Sequence, residues 1–221
     1  MKKEKLYNIL CWLMDHITHS EYLGTENITI QGPVIIATNH LSRLDIPLLL
    51  CNPVRKDLTG LVATKYLTFP GLSWVIRTIG PIWIDREIAD FGAIRVAYEA
   101  LQKGIALGIS PEGTRSSKTH GLMKAKAGVV LIALKSGAPI VPVGVYGTES
   151  GVKRLLTFRK PHMIARFGKA FTIPAISALH RTEELLRWTD EVMCRIAAQL
   201  PENYRGLYKD HPRLKELLAT S

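Results

Sequence analysis

The chain lacks several features that would fix its class at once. Its three cysteines, Cys11, Cys51 and Cys194, are widely spaced and odd in number. Neither a disulfide framework nor a CxxC metal site is suggested, and a reducing cytosol is the plain reading of the compartment. No apolar run approaches the roughly 18 to 20 residues of a membrane-spanning helix. The basic start "MKKEK" leads into the short run "ILCWLM" and then Asp15 and His16, with no small-residue cleavage site, so it does not read as a secretory signal. Internal repeats and low-complexity linkers are missing, and so is any helix-turn-helix, zinc or aromatic-basic signature of a nucleic-acid binder. Acids are scarce: 19 Asp+Glu stand against 29 Lys+Arg, a formal net charge of +10. That balance favours acidic partners such as nucleic acid, anionic lipid or an acidic carrier protein, and does not choose among them. Between Glu149 and Glu183 there is no acid at all.

What is present is enough for one core. With 221 residues, 47% of them hydrophobic, a single domain is the simplest reading. Apolar residues Leu6, Ile9, Leu10, Leu13 and Ile17 recur at helical spacing, widened by Tyr7, Trp12 and Met14. Such a helix suits a membrane interface, with basic residues toward headgroups, or docking on the protein's own core; periodicity does not separate the two. Residues 1–22 are taken as this N-terminal helical unit and 23–221 as the main domain. Beyond it, apolar strand-like runs ("VIIAT", "LTGLVATKYL", "GPIWID", "IALGIS", "APIVPVGVYG") alternate with helical patterns, two of which close at Gly104 and Gly137. The alternation predicts an α/β domain with a mixed, largely parallel sheet flanked by helices. Residues 150–182 read as strand-like and loop-rich, and "TEELLRWTDEVMCRIAAQL" as an amphipathic helix packed on the sheet.

The segment "IIATNHLSRLDIPLLL" joins a buried strand to an apolar helix through a polar hinge holding His40 and Asp45. In a continuous helix, five steps of about 100° would leave these side chains about 140° apart. They can meet only across a turn. Pro47 places the helix start near Asp45, because proline is tolerated in a first turn and not in a helix interior. A carboxylate on one imidazole nitrogen fixes the tautomer and leaves the other nitrogen free to accept a proton. The same residues also suit a capping role for Ser42 and Asp45. Downstream, "GPIWIDRE" ends one strand with Asp85 and Arg86, and "GISPEGTRSS" ends the next with Glu112, Gly113, Thr114 and Arg115. An arginine fork suits bidentate phosphate contact, and Gly113 would let backbone N–H groups approach an anion.

Taken together, these stretches resemble the glycerolipid acyltransferases of the 1-acyl-glycerol-3-phosphate acyltransferase type. NHxSxxD is matched by Asn39, His40, Ser42 and Asp45, and the second motif resembles "GPIWIDR". PEGTRS is matched by Pro111 through Ser116, and the fourth motif is similar to "IVPVGVYG". The resemblance implies transfer of a fatty acyl group from a thioester, acyl-CoA or acyl carrier protein, to the free hydroxyl of 1-acyl-glycerol-3-phosphate, giving phosphatidic acid. His40 would be the general base, Asp45 its orienter, and Arg86 with Glu112 to Arg115 the acceptor-phosphate site. Lys65 and Lys126 stand where the family often carries lysines, although Ala125 replaces an aromatic residue and Ser110 a phenylalanine. No metal, cofactor or serine nucleophile is implied, because a thioester is already activated.

Two alternatives stay open: another lysophospholipid or a lipid-linked sugar as acceptor, and a peripheral membrane-binding protein without catalysis. Nucleic acid is not an expected partner. The expected location is cytoplasmic, attached peripherally to the inner face of the membrane through the Leu6 to Ile17 face and oriented by the acid-free basic section.

Overall fold

The computed structural model of the chain describes residues 3–29, 31–68, 70–85, 91–116, 119–177 and 179–220. Helix α1 (Lys3–Ile17) leads into a short strand, β1 (His19–Leu23). The apolar run becomes β2 (Val34–Thr38), and α2 (Asp45–Leu50) starts where Pro47 requires. There follow β3 (Thr59–Ala63), α3 (Pro70–Ile79), β4 (Ile82–Ile84), α4 (Phe91–Gln102), β5 (Ala106–Ile109), α5 (Gly128–Ser136) and β6 (Ile140–Tyr146). The chain finishes with α6 (Gly151–Leu156), β7 (His162–Phe167), α7 (Arg181–Ala198) and α8 (Pro212–Ala219). Among the described residues the strands form one sheet in the order β1-β7-β6-β2-β5-β3-β4. All neighbours are parallel except β6 and β7, which are antiparallel.

β2 lies between β5 and β6, with Val34 opposite Ala106 and Thr38 opposite Val143. It is buried along its whole length, so it reads as a continuous apolar run and not as alternation. Its side chains still divide with period two. Ile35 and Ala37 join a core with residues of α4, α5 and α7, while Val34 and Ile36 join a second core with α1, α2 and β7. The strand is clamped from both faces, and its C-terminal end is a fixed platform. The segment expected to be loop-rich contains α6 and β7. β7 runs antiparallel to β6, so the connection 147–161, which carries α6, returns the chain from the same end of the sheet without a crossover.

α1 carries apolar side chains on two faces. Leu6 and Met14 are buried and the Tyr7 hydroxyl donates to the Leu50 carbonyl at 2.5 Å, which docks one face on α2. The other face exposes Ile9, Trp12 and Leu13. No helix among the described residues is long and apolar enough to cross a membrane.

The cysteines differ from the expectation. Cys11 of α1 and Cys51 at the end of α2 form a disulfide, their Cα atoms 5.3 Å apart. They are 40 positions apart in sequence, and only the packing of α1 on α2 brings them together, so spacing gave no warning. Cys51 is thereby withdrawn from any nucleophilic role. Cys194 is free and buried, and desolvation pushes its thiol up to about 12.

Candidate active site

At the C-terminal end of β2 the chain turns through Asn39 and His40 and re-enters at Asp45. The His40 Nδ1 lies 2.7 Å from Asp45 Oδ2. The same oxygen accepts the backbone N–H groups of Leu41 at 2.7 Å and Ser42 at 2.8 Å. The turn is thus wound around one carboxylate, and orienting and capping are done by the same group. With Nδ1–H donating to Asp45, the imidazole presents Nε2 outward as the acceptor. The His40 side chain keeps 14% of its surface exposed, against 2% for Asp45. One nitrogen of the ring is thus held by Asp45, while part of the side chain stays open to solvent.

Neighbouring strand ends complete the frame. After β5, Glu112 is buried and accepts the backbone N–H of His40 on Oε1 at 3.1 Å and that of Met123 on Oε2 at 3.0 Å. Ser116 donates its N–H to the His40 carbonyl at 2.8 Å. Both backbone polar groups of His40 are therefore held by the segment after β5. Burial pushes the Glu112 carboxyl up to about 7, against the pull of its two backbone donors, and the nearby Asp45 charge adds to the rise. Asn39 links β2 to the end of β6: its amide donates to the Val145 carbonyl and its carbonyl accepts from the Val145 N–H, both at 2.7 Å.

The loop after Glu112 turns at Gly113, whose φ is +68°. A Cβ there would stand 3.6 Å from the Lys126 side chain, which lies over the loop. The Lys126 N–H is bonded to the Pro111 carbonyl at 2.9 Å. Thr114 is exposed and Arg115 half-buried, and among the described residues Arg115 has no carboxylate partner. The fold thus brings His40, Asp45, Glu112, Gly113, Thr114, Arg115 and Lys126 to one end of the sheet. Lys65 is exposed just beyond β3, at the same end, with its ammonium 5.9 Å from the Tyr66 ring centroid. Arg86 lies outside the described residues.

Sequence reasoning missed Thr148. Its side chain is fully buried past the end of β6, and its hydroxyl donates to Asp45 Oδ1 at 2.5 Å. Asp45 then receives four donors, three on one oxygen and one on the other. The signal was positional: Thr148 follows a strand end, as His40 and Glu112 do.

Comparison with known proteins places these observations in context. A family model described as Acyltransferase matches residues 19–146, more than half of the chain. The chain is 33% identical over 129 residues to a 1-acyl-sn-glycerol-3-phosphate acyltransferase of Borreliella burgdorferi, covering 58% of this chain and 51% of that protein. It therefore spans about half the length of that relative. It is 27% identical over 171 residues to the protein of the same name from Bacillus subtilis, covering 77% of this chain and 83% of the other. Among solved structures, the 1-acyl-sn-glycerophosphate (LPA) acyltransferase PlsC from Thermotoga maritima superposes with a TM-score of 0.67 at 26% identity, covering 86% of this chain and 76% of that one.

Proposed function

Because the chain belongs to the Acyltransferase family, we propose that it moves a fatty acyl group from a thioester, acyl-CoA or acyl carrier protein, to the free hydroxyl of 1-acyl-glycerol-3-phosphate, giving phosphatidic acid. The observation that carries this is the His40–Asp45 contact of 2.7 Å at a strand end shared with the Arg115 loop. His40 Nε2 takes the proton from the acceptor hydroxyl as its oxygen attacks the thioester carbonyl. The C–S bond then breaks, and the imidazolium returns the proton to the leaving thiolate. The Asp45 charge, held in place by its donors, stabilises the imidazolium between these steps. Glu112 and Ser116 fix the backbone of His40, so the base is positioned before substrate arrives.

Arg115 and Lys126, with Arg86 as the family pattern implies, hold the acceptor phosphate, the guanidinium as a bidentate fork and the ammonium as a point charge. Thr114 and the backbone around Gly113 line the same loop. Both acceptor and product are bilayer lipids, and the enzyme reaches them from the surface. The outward face of α1, with Ile9, Trp12 and Leu13 exposed, supplies apolar anchoring, and the net charge of +10 supplies attraction to anionic lipid.

The test is transfer of a labelled acyl group from acyl-CoA and from acyl carrier protein to a panel of lysophospholipids. Activity should require a phosphate-bearing acceptor, and His40→Ala should abolish it while the melting temperature stays near that of the parent. A parent protein inactive with every donor and acceptor, or an active His40→Ala, would refute the reading.

A further inference from the structure

We propose that α6 and the turn after it, residues 151–160, form a second lipid-contact element that sets the mouth of the site against an anionic bilayer surface. This deepens the functional reading above and rests on its acceptor being a membrane lipid. Three apolar side chains are displayed within seven residues: Val152, Leu156 at 77% exposure and Phe158 at 100%. Around them stand Lys153, Arg154, Arg159 and Lys160, all exposed. Among the described residues none of the four has an acidic partner; residues 150–182 contain no Asp or Glu, and Glu149, four positions before Lys153, accepts the Tyr204 hydroxyl instead. Apolar tips ringed by unpaired cations complement a surface that is anionic outside and apolar beneath, and no groove of a folded partner is needed to accept them.

The backbone at the tip is an independent observation. Helix α6 ends with the Arg159 N–H bonded to the Arg154 carbonyl at 2.9 Å and the Phe158 N–H to the Leu155 carbonyl at 3.0 Å. This is the pattern of a helix stop in which the residue after the cap takes the left-handed conformation, a position that normally belongs to glycine. Here it is occupied by Phe158 with φ +54°. A bulky residue in that region is strained, and its ring gains no burial in return within the chain. Burial of the ring in a lipid interface would supply the missing compensation.

The place of the element ties it to the chemistry. Three residues before α6, Thr148 donates to Asp45. The first residue of α6, Gly151, lies so close to the Leu44 side chain that any Cβ there would collide with it. Leu44 itself sits in the hinge between His40 and Asp45. The N-terminal end of α6 is therefore packed on the hinge that holds the imidazole, and the Phe158 tip stands one short helix beyond it, at a point remote in sequence from α1.

The experiment is co-sedimentation of the full chain with phosphatidylcholine vesicles, with and without phosphatidylglycerol. Phe158→Gly removes the ring and suits the left-handed turn, so it should melt at or above the parent temperature while its partition onto phosphatidylglycerol vesicles falls about tenfold. Leu156→Ser with Phe158→Ser should fall at least as far. Lys153→Glu with Arg159→Glu should lose binding only where phosphatidylglycerol is present. All of these variants should retain turnover on a dispersed short-chain acceptor. That assay tests the acyltransferase reading separately, since the vesicle measurements stand even if no turnover is found. Equal partition of Phe158→Gly and parent would overturn the proposal. It would equally be overturned if the charge-reversed variant kept vesicle binding and lost turnover only with acyl carrier protein as donor, because the patch would then be a dock for that acidic protein.

Discussion

The two ends of the sheet treat charge in opposite ways. At the N-terminal ends of the strands, Arg55 is buried and fully committed: its guanidinium pairs with both oxygens of Asp57 at 2.7 Å and donates to the carbonyls of Thr29, Gly32 and Gly104. The Asp57 carboxyl is held below the usual range, chiefly by the hydrogen bonds from Arg55. Those carbonyls precede β2 and β5, so Arg55 ties together the loops that feed the central strands. At the C-terminal end, Asp45 is as thoroughly bonded, but one of its donors is the imidazole of His40, whose far nitrogen is left over. Arg115 nearby has no carboxylate at all among the described residues. Arg55 spends its donors on the protein, as a structural group does, whereas the other end leaves an imidazole nitrogen and a guanidinium over, the two groups to which the proposed function assigns the substrates.

The sharpest way to break the comparison is to truncate both arginines. Arg55→Ala should cost about 3 kcal/mol or more of stability in denaturant unfolding, because three carbonyls lose their donors together. Arg115→Ala should barely change stability but raise the acceptor KM about 10- to 100-fold while leaving slow thioester hydrolysis intact. Arg115→Lys should restore only part of the loss, since a point charge lacks the fork. If Arg115→Ala unfolds the chain, the two ends do not differ as described.

Asp45→Asn sharpens the account of the hinge. The Asn carbonyl can keep the three donors now on Oδ2, and the Thr148 hydroxyl can turn to accept from the new amide. The turn should therefore survive with a near-parental melting temperature, while kcat falls about a hundredfold or more for want of the charge behind the imidazolium. A stable variant with parental kcat would reduce Asp45 to a cap.

The smallest effect expected is at Thr148. Thr148→Val keeps the shape and removes the fourth donor, so kcat should fall about tenfold with KM unchanged. Thr148→Ser should recover most of it. A KM change, or a valine variant as active as the serine one, would mean that Thr148 only fills space.

The hinge was legible because its chemistry is local. His40 and Asp45 are five residues apart, and Pro47 alone fixed where the helix begins. The order of strands and helices from β2 through β6 was legible for the same reason, since each buried run is flanked by glycine or proline. β1 was not, and β7 was read only as strand-like within a loop-rich section: β1 is an edge strand with no fully buried residue and β7 alternates exposed with buried positions, so neither shows the continuous apolar run of the central strand β2. Helix α6 is only six residues long and has no side-chain cap, so no periodicity could accumulate.

The residue types and spacing in this sequence therefore determined the α/β class, the His40–Asp45 turn and the tight turn at Gly113 that leads to Arg115, all through interactions within a few residues. Tertiary structure alone decided which distant groups complete them. It joined Cys11 to Cys51, placed Thr148 behind Asp45, bound Glu112 to the backbone of His40 and gathered two loops on Arg55. Each of these contacts spans tens of residues, and nothing in local propensity distinguishes the true partner from the many others of the same type; that selection is made only when the two faces of the sheet bury their side chains and bring the strand ends together.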